Sequence, residues 1–250
     1  MRWKPLDSPA IATTSDDLTV GSHDHPAYLR HHFETVEQQR EAASFGMWVF
    51  LLTEVMFFGG MFMAYLIFRN WYHAAFVAGS NTLNVWLGTA NTLLLICSSC
   101  TMAMAVYSAE MRRKKQLLVY LVLTIILGLG FLGIKADEWT EKYELHHIPG
   151  ANFSIQEFVH PTDPKAIALA PDMAEKTQIY FSLYFLMTGM HALHMIIGVT
   201  ILIFLVFEAY RGAYTEGHIA PIENFGLYWH FVDIIWIFLF PLLYLISRYR

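Results

Sequence analysis

Polar and charged residues break this chain into five long apolar runs, near residues 46–68, 83–107, 117–134, 179–207 and 225–246. About 20 residues rising 1.5 Å each cross a bilayer's hydrocarbon, so each run is long enough, or nearly so, to span. Their apolar character is continuous rather than alternating. That predicts helices, whose backbone groups are satisfied internally, and not the shorter alternating strands of a barrel. The fourth run exceeds the bilayer thickness and is expected to tilt or protrude. The expected fold is therefore an all-α membrane protein: a bundle of five transmembrane helices over 44–250, preceded by a polar tail over 1–43.

Composition agrees with the pattern: 56% of the 250 residues are apolar, 16% aromatic and only 15% charged. This is far from the make-up of a soluble domain. A net charge of -5 spread over the polar segments gives no reason to expect nucleic acid as a partner, and two cysteines build no disulfide framework. The tail carries Pro5, Pro9, Pro26 and Asp16-Asp17 and lacks the apolar core of a cleavable signal, so none is predicted. The short basic loop Arg112-Arg113-Lys114-Lys115 sets orientation by the positive-inside rule. The tail is then cytoplasmic and the C-terminus periplasmic, although Arg248 and Arg250 pull weakly the other way. The loop over about 138–177 falls outside. Its length exceeds a simple connector's. Phe153, Ile155 and Phe158 could dock it, while Pro149, Pro161, Pro164 and Pro171 suit a disordered spacer equally well.

The informative residues are the ionisable ones inside the spans. A charged side chain at mid-membrane costs roughly 2.5 to 3.5 kcal/mol on insertion scales and normally marks a partner or a pathway. Counting at 1.5 Å per residue puts Glu54 about 13 Å deep, Asp233 about 12 Å deep and His194 at about 15 to 20 Å. These depths predict that the first, fourth and fifth spans meet. His191 and His194 share a helix face, as do His230 and Asp233. The pair His230 and Asp233 is expected to bond to each other or to a neighbouring helix. An apolar setting disfavours a charged carboxyl, so Glu54 is expected to carry a proton and hydrogen-bond His194.

Glu, Asp and three His inside a helical bundle raise a metal reading. A carboxylate di-metal site needs Glu-x-x-His on two helices, and that pattern is absent. The cluster therefore reads as structural or proton-linked, with no metal. Cys97 and Cys100 lie in a helix with Gly88, Thr92, Ser99 and Ala103, and read as packing residues, as do Gly128, Gly130 and Gly133. Trp71, Tyr72, Trp139, Tyr143 and Trp229 read as interfacial belt anchors. Phosphate loops and nucleophile elbows are missing, so no catalytic residue is assigned.

Four stretches, in order, resemble subunit III of haem-copper oxidases, the cytochrome c oxidase family. They are Thr53-Glu54-Val55-Met56-Phe57, Ala136-Asp137-Glu138-Trp139, Gly189 to Gly198 with His191 and His194, and Tyr228-Trp229-His230-Phe231-Val232-Asp233-Ile234-Ile235-Trp236. The resemblance covers roughly 44–250. Long-form members have seven helices; this chain resembles the five-helix bacterial form, with Trp139 where the family often has tyrosine. Pro241 is expected to kink the last helix.

The resemblance implies a non-redox subunit in a bacterial inner membrane, with oxidase subunits I and II and membrane lipids as partners. Haem and copper would reside in those partner subunits and none in this chain, and phospholipid would be a candidate ligand. The implied role is to sustain proton uptake and protect subunit I during respiratory oxygen reduction. Glu54 matches the family's carbodiimide-reactive carboxylate. Cytochrome c is the expected electron donor, with subunit III of a quinol oxidase or a nitric-oxide-linked complex as the alternative. A transporter would show inverted repeats or broken helices, and a stand-alone di-metal enzyme would co-purify with stoichiometric metal.

Overall fold

The computed structural model describes residues 33, 35–150, 152–161, 168–214 and 219–246. Most of the polar tail, with its prolines and Asp16-Asp17, lies outside these residues, as do Pro164, Arg248 and Arg250. Residues up to Gln39 and those from Arg40 onward form two compact units, and the helical bundle belongs to the second.

Secondary structure among the described residues is entirely helical. Five helices are long and apolar enough to cross a membrane: α1 (Val36–Trp71), α3 (Val85–Glu110), α4 (Lys114–Glu144), α7 (Thr177–Arg211) and α8 (Ala220–Phe240). Between them lie three short helices: α2 (His73–Asn81), α5 (Gln156–Val159) and α6 (Pro171–Glu175). Caps account for several ends. Asn84 Oδ1 accepts from the Trp86 and Leu87 N–H groups at 3.0 and 3.4 Å, which starts α3. Gly212 closes α7 at φ 88°, a left-handed conformation that favours glycine.

Hydropathy placed these helices but fixed their ends poorly. The third apolar run stops near 134, whereas α4 continues to Glu144, so the following loop begins at Leu145 and not at 138. The reason is that the polar turns are not solvent-facing. Lys135, Glu138 and Lys142 recur at helical spacing on one face, and all three are buried. Lys142 donates to the Thr82 carbonyl at 2.7 Å, tying α4 to the segment after α2. The described parts of the long loop dock rather than hang free. Phe158, Leu169 and Ala174 are buried, and the Leu169 N–H donates to the Phe158 carbonyl at 2.8 Å.

The bundle packs through α3 against α4 and α8, and through α7 against α4 and α8. Trp229 is the wedge at its centre. It is fully buried, its indole N–H donates to Ser98 Oγ at 3.0 Å, and so it is not the interfacial anchor its type suggested. Glycines make its slot: a Cβ on Gly198 would come within 2.9 Å of the Trp229 ring, and one on Gly128 within 3.1 Å. Gly130 and Gly133 make no such close approach. Cys97 and Cys100 are exposed on α3 rather than buried as packing residues; Ser98, between them, is the residue that is buried.

Pro241 stands where the regular α-helix of the last span stops. The α-helix ends at Phe240 and passes into a π-helical turn, Pro241–Leu245, closed by the Ile246 N–H on the Pro241 carbonyl at 3.0 Å. Carbonyls of this turn find side-chain donors. Tyr65 donates to the Leu242 carbonyl at 2.9 Å, and Ser80 and Tyr180 donate to that of Leu243 at 2.8 and 3.2 Å. The proline-induced irregularity thus joins α1, α2 and α7 to the end of the last span.

Candidate functional site

Glu54 of α1 and His194 of α7 meet. Oε2 lies 3.2 Å from the imidazole Nε2, with the two side chains 18% and 11% exposed. This is an ion-pair contact without the alignment of a hydrogen bond, since Oε2 has no partner of hydrogen-bond geometry. The far side of the ring settles its tautomer. His194 Nδ1 is 2.7 Å from the Met190 carbonyl, which can only accept, so Nδ1 carries a hydrogen. If the ring is neutral, Nε2 is then a bare lone pair facing Glu54. One proton placed on either the carboxyl or the imidazole would leave the pair electrically neutral. Phe58 closes the site from α1 with its ring edge-on to His194 at 5.4 Å. Tyr228 of α8 donates to the His194 carbonyl at 2.9 Å and lies 6.1 Å from the Phe50 ring. The first, fourth and fifth spans do converge here.

Asp233 does not join them. It is 3% exposed and lies beside Ser99 of α3, and among the described residues neither of its oxygens meets a partner in strict hydrogen-bond geometry. His230, one turn earlier, hydrogen-bonds Ser99 across the helix pair at 2.7 Å and not Asp233. His191 also separates from His194. It is buried between the Phe131 and Trp236 rings at 5.3 and 5.2 Å, and among the described residues neither ring nitrogen has a hydrogen-bond partner. Thr53 makes only a local contact, to the Phe50 carbonyl at 2.7 Å. Equal depth therefore grouped residues that point to different sides of the bundle.

A second polar centre escaped the depth count. Lys135 donates to Glu138 Oε2 at 3.1 Å, to Tyr184 Oη at 3.2 Å and to Tyr244 Oη at 2.7 Å. Tyr184 and Tyr244 in turn donate to Glu138 Oε1, at 2.6 and 2.5 Å. The ammonium also lies 5.0 Å from the Trp236 ring centroid. Trp236 itself donates to Thr92 Oγ1 at 3.2 Å. The signal that could have found this centre was the i, i+3 spacing of Lys135 and Glu138, just past the end of an apolar run. Among the described residues no three His, Cys, Asp or Glu side chains gather in a way that could hold a metal ion.

Comparison with known proteins places the chain among relatives along most of its length. The family described as cytochrome c oxidase subunit III matches residues 23–153 and 171–248. A probable cytochrome c oxidase subunit 3 of Rickettsia bellii is 32% identical over 225 residues, 84% of this chain and 70% of that one. Cytochrome c oxidase subunit 3 of Dugong dugon is 30% identical over 226 residues, 86% of this chain and 72% of that one. A probable quinol oxidase subunit 3 of Staphylococcus saprophyticus is 26% identical over 226 residues, 88% of this chain and 98% of that one.

Proposed function

The chain belongs to the cytochrome c oxidase subunit III family, and from that premise we propose that it is the non-redox third subunit of a cytochrome c oxidase in a bacterial inner membrane. As a family member it is a multi-pass subunit of a respiratory haem-copper oxidase complex, whose oxygen reduction is linked to proton translocation. In the proposed arrangement its partners are subunits I and II, which hold the haem and copper, and the isolated chain catalyses nothing. It stabilises subunit I and sustains proton uptake. Its N-terminus is cytoplasmic, as the basic Arg112–Lys115 loop supports. α1 has much of its apolar surface open, including Trp48, Leu52 and Met56, which suits subunit contact or bound phospholipid.

The observation that supports the proton-linked role is the 3.2 Å Glu54–His194 contact in an apolar span, where one proton on either group would leave the pair neutral. Addition or loss of a proton leaves a net charge there, so the pair can follow the protonation of its surroundings while resting uncharged. A hydrophobic carbodiimide, which reacts with protonated carboxyls, tests this in membranes. Glu54 should label at neutral pH, and His194→Asn should change the labelling rate. A fully unreactive Glu54 would sink the proton-bearing reading.

One observation favours the quinol alternative: the Staphylococcus relative is covered over 98% of its length, against 70% and 72% for the two cytochrome c oxidase relatives. The complex itself decides. Purified with its companions, it should oxidise reduced cytochrome c and contain a copper-bearing subunit II; oxidation of quinol alone would select the other branch.

A further inference from the structure

Helix α4 begins against the usual electrostatic order. The first N–H groups of a helix lack intrahelical partners and carry partial positive charge, so a capping acceptor and an acidic first turn are favourable there. α4 has neither: Arg113 stands at its N-cap with no side-chain bond to those N–H groups, and the first turn opens with Lys114 and Lys115 and holds no acid. Arg112, just before, takes the left-handed region at φ 54°, which a glycine would adopt without strain. Arg112, Arg113 and Lys114 line one cleft together with Ser108 and with Tyr214, which follows α7. Tyr214 is 5% exposed, and among the described residues its hydroxyl has no hydrogen-bond partner. Burial, reinforced by the Glu208 charge, raises its pKa to about 12, so it stays a donor. Among the described residues none of these cations forms an ion pair.

Such a cleft fits an anion with several acceptor oxygens. Free backbone N–H groups, cationic side chains and a phenol all donate, and among the described residues no carboxylate lines it. It has room for about one oxygen atom, so the rest of the anion stays outside the fold. Its place decides what that remainder is. The cleft opens where α3 and α7 end and α4 begins, the headgroup level of three spans. Exposed Tyr107, Met111, Phe207 and Tyr210 carry apolar surface from this corner toward the span interiors. Two of them hold cations on their rings: Lys114 Nζ lies 5.7 Å from the Tyr210 centroid, and the Arg211 guanidinium 4.1 Å from that of Phe207. We propose that the α4 N-terminus and Tyr214 bind the headgroup phosphate of an anionic phospholipid, whose acyl chains run down the apolar surface beside the cleft. Arg112, Arg113, Lys114, Lys115 and Arg211 outnumber the neighbouring Glu110 and Glu208, which favours a lipid of net negative charge over a zwitterion. The site is separate from the Glu54–His194 pair and depends on the membrane setting, not on which oxidase the chain serves.

The test places the full chain, in its purified complex, in nanodiscs of mixed phosphatidylcholine and phosphatidylglycerol, strips lipid with detergent, and counts what is retained by native mass spectrometry. Phosphatidylglycerol should be kept in preference to phosphatidylcholine. Tyr214→Phe preserves the buried ring and removes one donor to a charged acceptor, so retention should fall about tenfold. Arg112→Gly relieves the left-handed backbone and should melt no lower than the original, yet its retention should fall about fivefold, the worth of one cation at an anionic surface. Lost retention with undiminished melting separates binding from folding. A diffuse basic surface would lose as much with Arg211→Gln and nothing with Tyr214→Phe; that pattern, or equal retention of the two lipids, would overturn the site. Stabilisation by inorganic phosphate in lipid-free detergent, with no lipid retained, would assign the cleft to a soluble anion instead. A zero-length crosslink from Lys114 to a carboxylate of a companion subunit, again with no lipid retained, would replace the lipid with a protein contact.

Discussion

Two buried charge pairs in this bundle are built on opposite plans. Lys135 and Glu138 are on the same helix, 3% and 1% exposed in their side chains, and surrounded by two tyrosine hydroxyls that bond to both of them. Glu54 and His194 come from different helices, remain partly exposed, and share one contact of 3.2 Å without hydrogen-bond alignment. The first pair satisfies its donors and acceptors and fixes a geometry. The second leaves its contact without hydrogen-bond alignment and its side chains partly exposed. Burial of an ionisable group thus does not by itself fix its role: the degree of satisfaction around it differs sharply between the two pairs.

The widest separation between the two should come from removing one partner of each. Lys135→Met leaves Glu138 charged and buried without its cation, and is expected to cost about 3 to 5 kcal/mol, read as loss of thermal stability of the detergent-solubilised complex. Adding Glu138→Leu removes the stranded charge and should recover a substantial part of that loss; a double variant as unstable as the single one would mean that the tyrosines, not the charges, organise the centre. Glu54→Gln, by contrast, keeps shape and polarity at a partly exposed position and should shift stability by less than about 1 kcal/mol while abolishing carbodiimide labelling at that position. A loss as large as that of Lys135→Met would erase the distinction.

The smallest effect is expected at His147, beyond the end of α4, where the same physics acts on the docked loop. Its ring is buried against Phe158 and Phe181, at 5.3 and 4.9 Å. That burial, reinforced by the Lys142 and His146 charges, lowers its pKa to about 4. The 3.0 Å contact with Glu157 is then a neutral ring facing a carboxylate through Nε2, since burial disfavours the charged imidazole. Undocked, the imidazole takes up its proton near pH 6.5; docked, only near 4. The open form therefore binds more protons between those values, and docking should weaken as pH falls from 6.5 to 4. Hydrogen exchange over residues 145–161 should accelerate across that window in the original chain and not in His147→Phe.

How much of this was legible in the sequence differs from helix to helix. The five spans could be read directly, because a bilayer demands length and continuous apolarity and both are local properties. Glu54 and His194 stood out because each is anomalous in its own run, and depth counting placed them at the same level. The same counting misled for Asp233, since rise along an axis says nothing of rotation about it, and Asp233 faces α3 instead. Lys135 was passed over, though its partner Glu138 was noted as part of a motif, because charged residues past the end of an apolar run look like loop. Trp229 read as an anchor for a related reason: whether an indole sits at an interface or in a slot depends on glycines from α4 and α7.

The sequence by itself determined the class, the number of spans, the family and the residues whose presence in a membrane needs explaining. These follow from hydropathy and motif order, which are additive along the chain. The tertiary structure alone decided which of those residues touch. It paired Glu54 with His194, enclosed Lys135 and Glu138 with Tyr184 and Tyr244, and left Asp233 facing an open groove. Such partnerships depend on the rotation and close packing of helices distant in sequence, and rotation about the axis decides whether a carboxyl meets an imidazole, an ammonium or the wall of a groove.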